Sequence, residues 1–490
     1  MLNTPTNDDI IQAVKQKTVK GIFSLFLRQG AIYFISIVGN IILARILKPS
    51  DFGIYAIIAV FVNFLVVFGD VGLGASLVQS TTEPSGEDYC TIFTFQQILV
   101  TALIVVAFMI SPLIVRHYHL KAESDWMIRL MVITIGFATI RSISAIKLER
   151  HLEFTKLAGV EIAESFLFQV TAISLAILNM GVWSFVIGAI VKSVIGVFMI
   201  FAISPWRIRL HWEWPKVRSL MRFGLPYQGI TIISLIKDSI NPVLIGTLIG
   251  ATAVGYVNWA NVVASYPIFI IFIFNRLFFP AFSRLKHHTL SLEKAVEKVI
   301  YWNNLLVFIL LAVLVSQVRE ITLIIFGAKW LPAVPLVYLF SFGDMFIASC
   351  APLFAVLNAL GKSRLAFIFS VVWMLSTWVF GYPLIRRYGF IGYGIAHMAV
   401  QLTNIAFIWK VKSLIKVRII SAIYPSIIGF CIAVGTTIGL KSVIHAPQPI
   451  NAILLGTITF ITYLCVILVI NWRRVWDEIS SVVKLRQINA

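Results

Sequence analysis

Apolar segments long enough to cross a membrane recur along the whole chain, and they constrain its fold more than any other feature. A helix needs about 20 apolar residues to cross the hydrocarbon core of a bilayer. The chain is 59% hydrophobic and only 12% charged, whereas soluble domains carry about 25% charged residues. The sequence therefore predicts an all-α, polytopic membrane protein with about fourteen transmembrane helices. These lie at 20–44, 52–77, 91–115, 125–146, 157–179, 182–204, 223–249, 254–279, 299–317, 332–359, 364–385, 389–410, 419–440 and 449–471.

The basic residues alternate between the two sides of these predicted spans. The formal net charge is +19, which on a soluble chain would suggest a nucleic-acid partner. Of the 40 lysines and arginines, 25 fall in the segments that share a side with the N-terminus. Such an excess marks the cytoplasmic side of a membrane protein. We therefore predict cytoplasmic N- and C-termini, and no nucleic-acid partner.

No motif for a cofactor, a metal or an enzymatic reaction is found. Gly361-Lys362-Ser363 resembles the end of a phosphate-binding loop, but Val356 stands where that loop requires glycine. The four cysteines are scattered singly, without the spacing of a metal site. The segments between spans are too short for a soluble catalytic domain. We expect neither a cofactor, nor a metal site, nor catalytic residues.

The chain also repeats itself. Six spans separate the two copies, so both copies have the same orientation, as in transporters built from parallel repeats about an axis along the membrane normal. We predict an N-lobe over 1–204, a cytoplasmic amphipathic linker over 205–221, a C-lobe over 222–412, and two extra helices with a cytoplasmic tail over 413–490. The matching pairs are Arg45–Gly53 with Thr247–Gly255, Leu148–Lys156 with Leu357–Leu365, and Gly181–Gly188 with Gly389–Ala396, at offsets of 202, 209 and 208.

Eleven ionisable side chains lie inside the predicted spans. Each charge costs about 2.5–3.5 kcal/mol at the centre of a bilayer on insertion scales, so most must face a polar interior, pair or reach the surface. Six of the eleven are basic, which favours an anionic cargo. The eleven are Arg28, Asp70, Arg129, Arg141, Glu161, Glu164, Lys192, Lys237, Asp238, Arg276 and Asp344.

Several short motifs resemble the polysaccharide transporter family, which belongs to a superfamily with the multidrug/toxic-compound extrusion antiporters and the lipid II flippases. The resemblance covers about residues 15–420. It is carried by Ala44–Gly53, Asp70–Gly74, Arg222–Pro226, Ile245–Gly250, Phe279–Ser283 and Phe326–Trp330.

The resemblance implies two six-helix lobes around a cationic cavity that opens alternately to each side. It also implies a function. The expected activity is translocation of a polyprenyl-pyrophosphate-linked oligosaccharide for exopolysaccharide, capsule or lipopolysaccharide biosynthesis. The expected partners are that lipid-linked glycan, membrane lipids and polysaccharide polymerase or export machinery. The alternatives are a multidrug antiporter, against which the basic residues argue, and a glycan polymerase or ligase, against which the short external loops argue.

Five cations are candidates for binding the substrate in such a cavity: Lys237, Arg28, Lys192, Arg276 and Arg141. Arginine and lysine suit phosphate oxygens, and arginine binds them with two hydrogen bonds. Lys237 is the foremost candidate, since it lies near the midplane, where its side chain cannot easily reach the surface. A pair with a carboxylate is its alternative, and anchoring at the interface is the alternative for Arg28, Arg276 and Arg141.

Five acids are candidates for ion coupling or charge pairing: Asp70, Glu161, Glu164, Asp238 and Asp344. Carboxylates inside membranes serve as proton or sodium sites in some transporters. Glu161 and Glu164 are three residues apart and therefore share one helical face. Two interpretations remain open for this pair, namely neutralisation of Lys192 or Arg141, and uptake of a proton.

Overall fold

The computed structural model describes residues 7–488 except 71, 75–76, 78–82, 219–220, 222–227, 229–230, 234, 237–238, 270, 272–277, 279–280 and 445–446, and it leaves the side chains of 7–26, 448 and 473–488 undescribed. The described residues form helices joined by short connections, without a strand. The predicted all-α class is confirmed.

Fourteen helices carry the architecture, numbered here in chain order. The first seven are α1 (Asn7–Ile46), α2 (Pro49–Asp70), α3 (Gly86–His117), α4 (Glu123–Arg150), α5 (Phe154–Ile177), α6 (Trp183–Ile203) and α7 (Ala251–Ser265). The others are α8 (Thr289–Ile321), α9 (Val334–Ala359), α10 (Ser363–Tyr388), α11 (Phe390–Leu402), α12 (Asn404–Lys412), α13 (Ile419–Lys441) and α14 (Gln448–Ile488). Short helical turns at Asn241–Ile245, Gly246–Leu248, Thr322–Phe326 and Ala328–Ala333 join some of them.

Twelve helical segments among the described residues are long and apolar enough to cross a membrane. They coincide with twelve of the fourteen predicted spans. The other two, at 223–249 and 254–279, contain many of the undescribed residues. The number of fourteen transmembrane helices therefore stays a prediction, while the prediction of a multi-pass membrane protein is confirmed.

The chain divides into two compact units, Met1–Gly255 and Tyr256–Ala490. In the first unit α4 is central, because it packs against α2, α3, α5 and α6, and α1 packs along α5. Its apolar core includes Ile58, Val100, Ile128 and Val186, all of them fully buried. This arrangement places the predicted charges of α1, α4 and α5 on neighbouring helices.

In the second unit α8 is the central helix. It packs against α9, α13 and α14, and α9 also packs against α11. The two helices predicted to lie outside the duplication, α13 and α14, thus share a core with α8. Tyr463 of α14 is fully buried there, and its hydroxyl donates a hydrogen bond to the Leu305 carbonyl at 3.2 Å.

The predicted duplication has a geometric counterpart in the first unit. Gly53 lies so close to the Ala251 carbonyl that a Cβ on the glycine would come within 1.7 Å of the oxygen. Gly255 lies equally close to the Pro49 carbonyl, where a Cβ would come within 1.9 Å. Pro49 and Gly53 correspond to Ala251 and Gly255 at the offset of 202. Such a reciprocal contact is what a two-fold relation between repeats produces.

Two corresponding glycines before the following helices both have a positive φ. Gly181 before α6 has φ of 55°, and Gly389 before α11 has φ of 63°. Glycine suits a positive φ because it has no Cβ to clash with the backbone.

The segment predicted as an amphipathic linker has no regular secondary structure over residues 205–213 and contacts α3. The Trp206 ring packs edge-on against Phe93 at 5.1 Å between ring centroids. The His211 backbone N–H donates to the Thr94 hydroxyl at 3.1 Å. Lys216 then pairs with Asp88 near the start of α3. These contacts fix the segment on the first unit, while its location at the cytoplasmic surface stays a prediction.

Candidate functional site

Two arginine–glutamate pairs link three neighbouring helices of the first unit. The Arg28 guanidinium of α1 lies 2.8 Å from the Glu161 carboxylate of α5. The Arg141 guanidinium of α4 pairs with the Glu164 carboxylate, one turn further along α5. Glu161 and Glu164 share one face of α5, as their i,i+3 spacing predicts. Because they lie one turn apart on that face, each glutamate pairs with an arginine of a different helix.

The two pairs differ in their access to the surroundings. Glu164 is only 3% exposed, and its arginine partner is 21% exposed. Glu161 is 28% exposed beside an Arg28 side chain that is 14% exposed. The Nε of Arg28 is buried and has no hydrogen-bond partner among the described residues. The Glu164 carboxylate thus has the burial of a structural contact, whereas the Glu161 carboxylate is accessible and both arginines are partly buried.

A glycine makes room for the buried pair. A Cβ on Gly196 of α6 would come within 2.0 Å of Glu164 Oε1, so only a glycine leaves space for this carboxylate. Gly39 of α1 has the same relation to Gln169 of α5, with 2.2 Å to its Oε1. Small residues at both positions let polar side chains lie between closely packed helices, as is common inside membranes.

Uncharged polar side chains join α3 to α4 beside these pairs. The Gln97 amide donates to the Thr139 hydroxyl at 2.9 Å. The Ser142 hydroxyl donates to Gln96 Oε1 at 3.1 Å. Both glutamines thus make the helix–helix hydrogen bonds that membrane interiors favour.

Lys192 and Asp70 are exposed on the first unit. Lys192, on α6, makes no ion pair with any described carboxylate, so it is an accessible lone cation in this part of the chain. The predicted neutralisation of Glu161 and Glu164 involves the two arginines and not Lys192. Arg129 pairs with Asp125 at 2.9 Å within α4, near the start of that helix.

Asp344 of α9 is buried in the second unit at 6% exposure. Its Oδ2 has no hydrogen-bond partner among the described residues. On the neighbouring α11, His397 lies against Gly343, and the Gln401 amide lies 3.3 Å from its Nε2. Asp344 thus forms no ion pair with a described residue.

Three of the predicted site residues lie outside the described residues. They are Lys237, Asp238 and Arg276. Their roles stay predictions from the sequence alone.

Glu149 and Gly196 did not emerge from the sequence. Glu149 interacts electrostatically with both Arg28 and Glu161. The predicted fourth span ended at residue 146, whereas α4 continues to Arg150 and carries Glu149 into the same charged cluster. The role of Gly196 could not be predicted, because a glycine inside an apolar helix does not indicate which side chain it packs against. Extending the predicted fourth span by one turn would have included Glu149.

These features define a class, a multi-pass helical membrane protein with charged and polar side chains between its spans. The fold resembles that of solved transporters. A structure of the lipid II flippase MurJ in an inward closed conformation superimposes with a TM-score of 0.73, at 14% identity over 93% of this chain and 100% of that chain. A multidrug resistance MATE family transporter of the MOP superfamily, facing inward, superimposes with a TM-score of 0.58, at 16% identity over 78% and 94%.

The family is shown by the sequence. The chain belongs to the polysaccharide biosynthesis protein family, whose model matches residues 42–335. A curated relative, the succinoglycan biosynthesis transport protein ExoT of Rhizobium meliloti (strain 1021), is 23% identical over 337 residues, which cover 69% of this chain and 68% of the relative. Family, relative and fold together identify a membrane transporter of polysaccharide biosynthesis and not an enzyme.

Proposed function

We propose that the protein is a flippase for a polyprenyl-pyrophosphate-linked oligosaccharide repeat unit. It moves this unit from the cytoplasmic to the external leaflet of a bacterial inner membrane by alternating access, and no covalent bond is made or broken. The family and the succinoglycan transport relative support a glycan as cargo. The likeness to the fold of a lipid II flippase supports a lipid-linked form of it.

One observation within the chain carries the proposal, namely the accessible Arg28–Glu161 pair inside the spans of the first unit. A pyrophosphate brings about two negative charges, and an arginine binds phosphate oxygens through two parallel hydrogen bonds. Arg28 has such a guanidinium, with its Nε unpartnered among the described residues. Lys192 adds an accessible cation on α6.

The paired state of Arg28 sets a condition on binding. An incoming phosphate competes with the Glu161 carboxylate for Arg28, because both anions accept hydrogen bonds from the same guanidinium N–H groups. Glu149, which also interacts with Arg28, increases the negative charge around this exchange. The Arg28–Glu161 pair must therefore open when the phosphate binds.

The remaining predicted residues have roles that follow from the same proposal. Lys237 and Arg276 supply further cations for the glycan pyrophosphate, and Arg141 is held by Glu164 as a structural pair. Asp70, Asp238 and Asp344 are candidates for coupling. The membrane potential assists export, since moving an anion out of a negative-inside cell gains about 2.3 kcal/mol per charge per 100 mV.

The test is to remove the protein from its host and measure lipid-linked glycans in each leaflet. We expect a polyprenyl-pyrophosphate oligosaccharide to accumulate on the cytoplasmic leaflet, with loss of the external polysaccharide. Re-expression of the wild-type chain is expected to restore export, and Arg28→Ala to restore it poorly at equal abundance. If no glycan accumulates and resistance to cationic drugs falls instead, the flippase proposal is wrong and the protein is a multidrug antiporter.

A further inference from the structure

A charged cavity of about 790 Å³ lies in the second unit, at the start of α8 and beside the connection from α12 to α13. Four cations line it: Lys294 from α8, Lys412 from the end of α12, and Lys416 and Arg418 from the connection. The transport proposal does not use this cavity. The connection joins two membrane-crossing segments, Phe390–Lys412 and Ile419–Lys441, so the cavity lies at the level of one membrane surface.

The connection is held on α8 by two carboxylates. Glu293 Oε1 accepts a hydrogen bond from the Lys416 backbone N–H at 2.8 Å. Glu297 Oε1 accepts one from the Arg418 backbone N–H at 2.6 Å. Both acids thus serve the backbone of the connection.

The side chains of the connection alternate in their direction. Ile415, Val417 and Ile419 are buried in the core of the second unit. Lys416 and Arg418 stand between them and are exposed. The buried apolar residues therefore anchor the segment while both cations face outward. The cations are therefore held on a fixed backbone.

The cavity has a surplus of positive charge. Its four cations outnumber the two glutamates, for a formal charge of +2. Among the described residues none of the four cations forms an ion pair with a carboxylate. Leu290 and Ile420 also line the cavity, and each is 75% exposed. Cations at the level of lipid headgroups with apolar side chains next to them fit an anionic lipid, whose acyl chains lie along the apolar residues.

We infer that this cavity binds the headgroup of an anionic phospholipid, at a site separate from the transport site. Basic pockets between membrane helices on the cytoplasmic side recognise such headgroups. Both segments that form the cavity are predicted to be cytoplasmic from their basic residues, and the structure brings them together. The bound lipid ties α8 to the connection that leads into α13.

The test uses the full-length protein purified in a neutral detergent. Phosphatidylglycerol or phosphatidylcholine is added in mixed micelles, and bound lipid is measured by native mass spectrometry together with the unfolding midpoint. The double variant Lys416→Gln/Arg418→Gln removes two cations and keeps the backbone hydrogen bonds. Lys362→Gln/Arg364→Gln removes two exposed cations from another connection with the same predicted sidedness and serves as the matched control.

Wild type and control are expected to bind phosphatidylglycerol in preference to phosphatidylcholine and to be stabilised by it. The cavity variant is expected to bind phosphatidylglycerol about thirtyfold more weakly, at about 1 kcal/mol for each cation removed. Its unfolding midpoint without lipid is expected to equal that of wild type. Equal phosphatidylglycerol binding by both double variants overturns the inference. Equal stabilisation by inorganic phosphate alone overturns it too, because the ligand is then a soluble anion.

Discussion

The reciprocal contact of the two repeat motifs is open to a direct test by Gly53→Ala. The Ala251 carbonyl oxygen lies 1.7 Å from where the new Cβ would stand, whereas ordinary contacts begin at 3.4 Å. The two helices must separate by about 1.7 Å, the difference of these two distances. Overpacking of this kind costs about 1–3 kcal/mol. For a unit of this size, each kcal/mol lowers the unfolding midpoint by about 2–4 °C.

Thermal unfolding of the purified protein in detergent measures the effect. Gly159→Ala is the control, because that glycine lies within α5 with no atom within 4 Å of an added Cβ. There we expect no loss, and a gain of about 0.5–1 kcal/mol from the better helix propensity of alanine. Gly53→Ala and the control are thus expected to shift the midpoint in opposite directions.

The corresponding variant Gly255→Ala pushes against the Pro49 carbonyl at the same crossing. One separation of the helices relieves both clashes, so Gly53→Ala/Gly255→Ala is expected to destabilise by less than the sum of the single variants. A Gly53→Ala protein as stable as wild type, or full additivity of the two variants, would refute the reciprocal packing.

Three further predictions concern the charged residues. Gly196→Ala is expected to displace the Glu164 carboxylate, which lies 2.0 Å from the new Cβ, and to destabilise by about 1–3 kcal/mol; an unchanged midpoint contradicts the assigned packing. Glu161→Gln removes the competing anion from Arg28, so we expect the purified protein to bind the lipid-linked glycan more tightly than wild type, and unchanged affinity argues against an exchange of anions at Arg28. Lys237→Ala is expected to lose most transport at normal abundance; normal transport removes this lysine from the site.

The sequence contained enough to predict twelve of the spans, whereas the duplication stays a prediction. The membrane imposes a length and a polarity on each helix, and both can be counted residue by residue. The duplication rested on short motifs, and the contact between Gly53 and Ala251 is its physical counterpart. Neither the spans nor the duplication had to be predicted from which helices are neighbours.

The pairing of charges does depend on neighbours. Glu164 had two predicted partners, and the packing of α4 against α5 decides for Arg141. The lipid cavity could not be predicted from the sequence either, because Glu293 and Lys416 are far apart in the chain and come into contact only in the folded unit. Contacts of this kind are set by packing, which a single sequence does not display.

The central claim is that this chain alone moves a lipid-linked glycan between leaflets. The most direct test reconstitutes the purified protein in lipid vesicles that carry a polyprenyl-pyrophosphate oligosaccharide in both leaflets. A membrane-impermeant enzyme that cleaves the glycan then reports how much of it reaches the outside. We expect cleavage to approach completion with the protein and to stop at the outer-leaflet share without it. Cleavage that stops at the same share in both vesicle types would contradict the account.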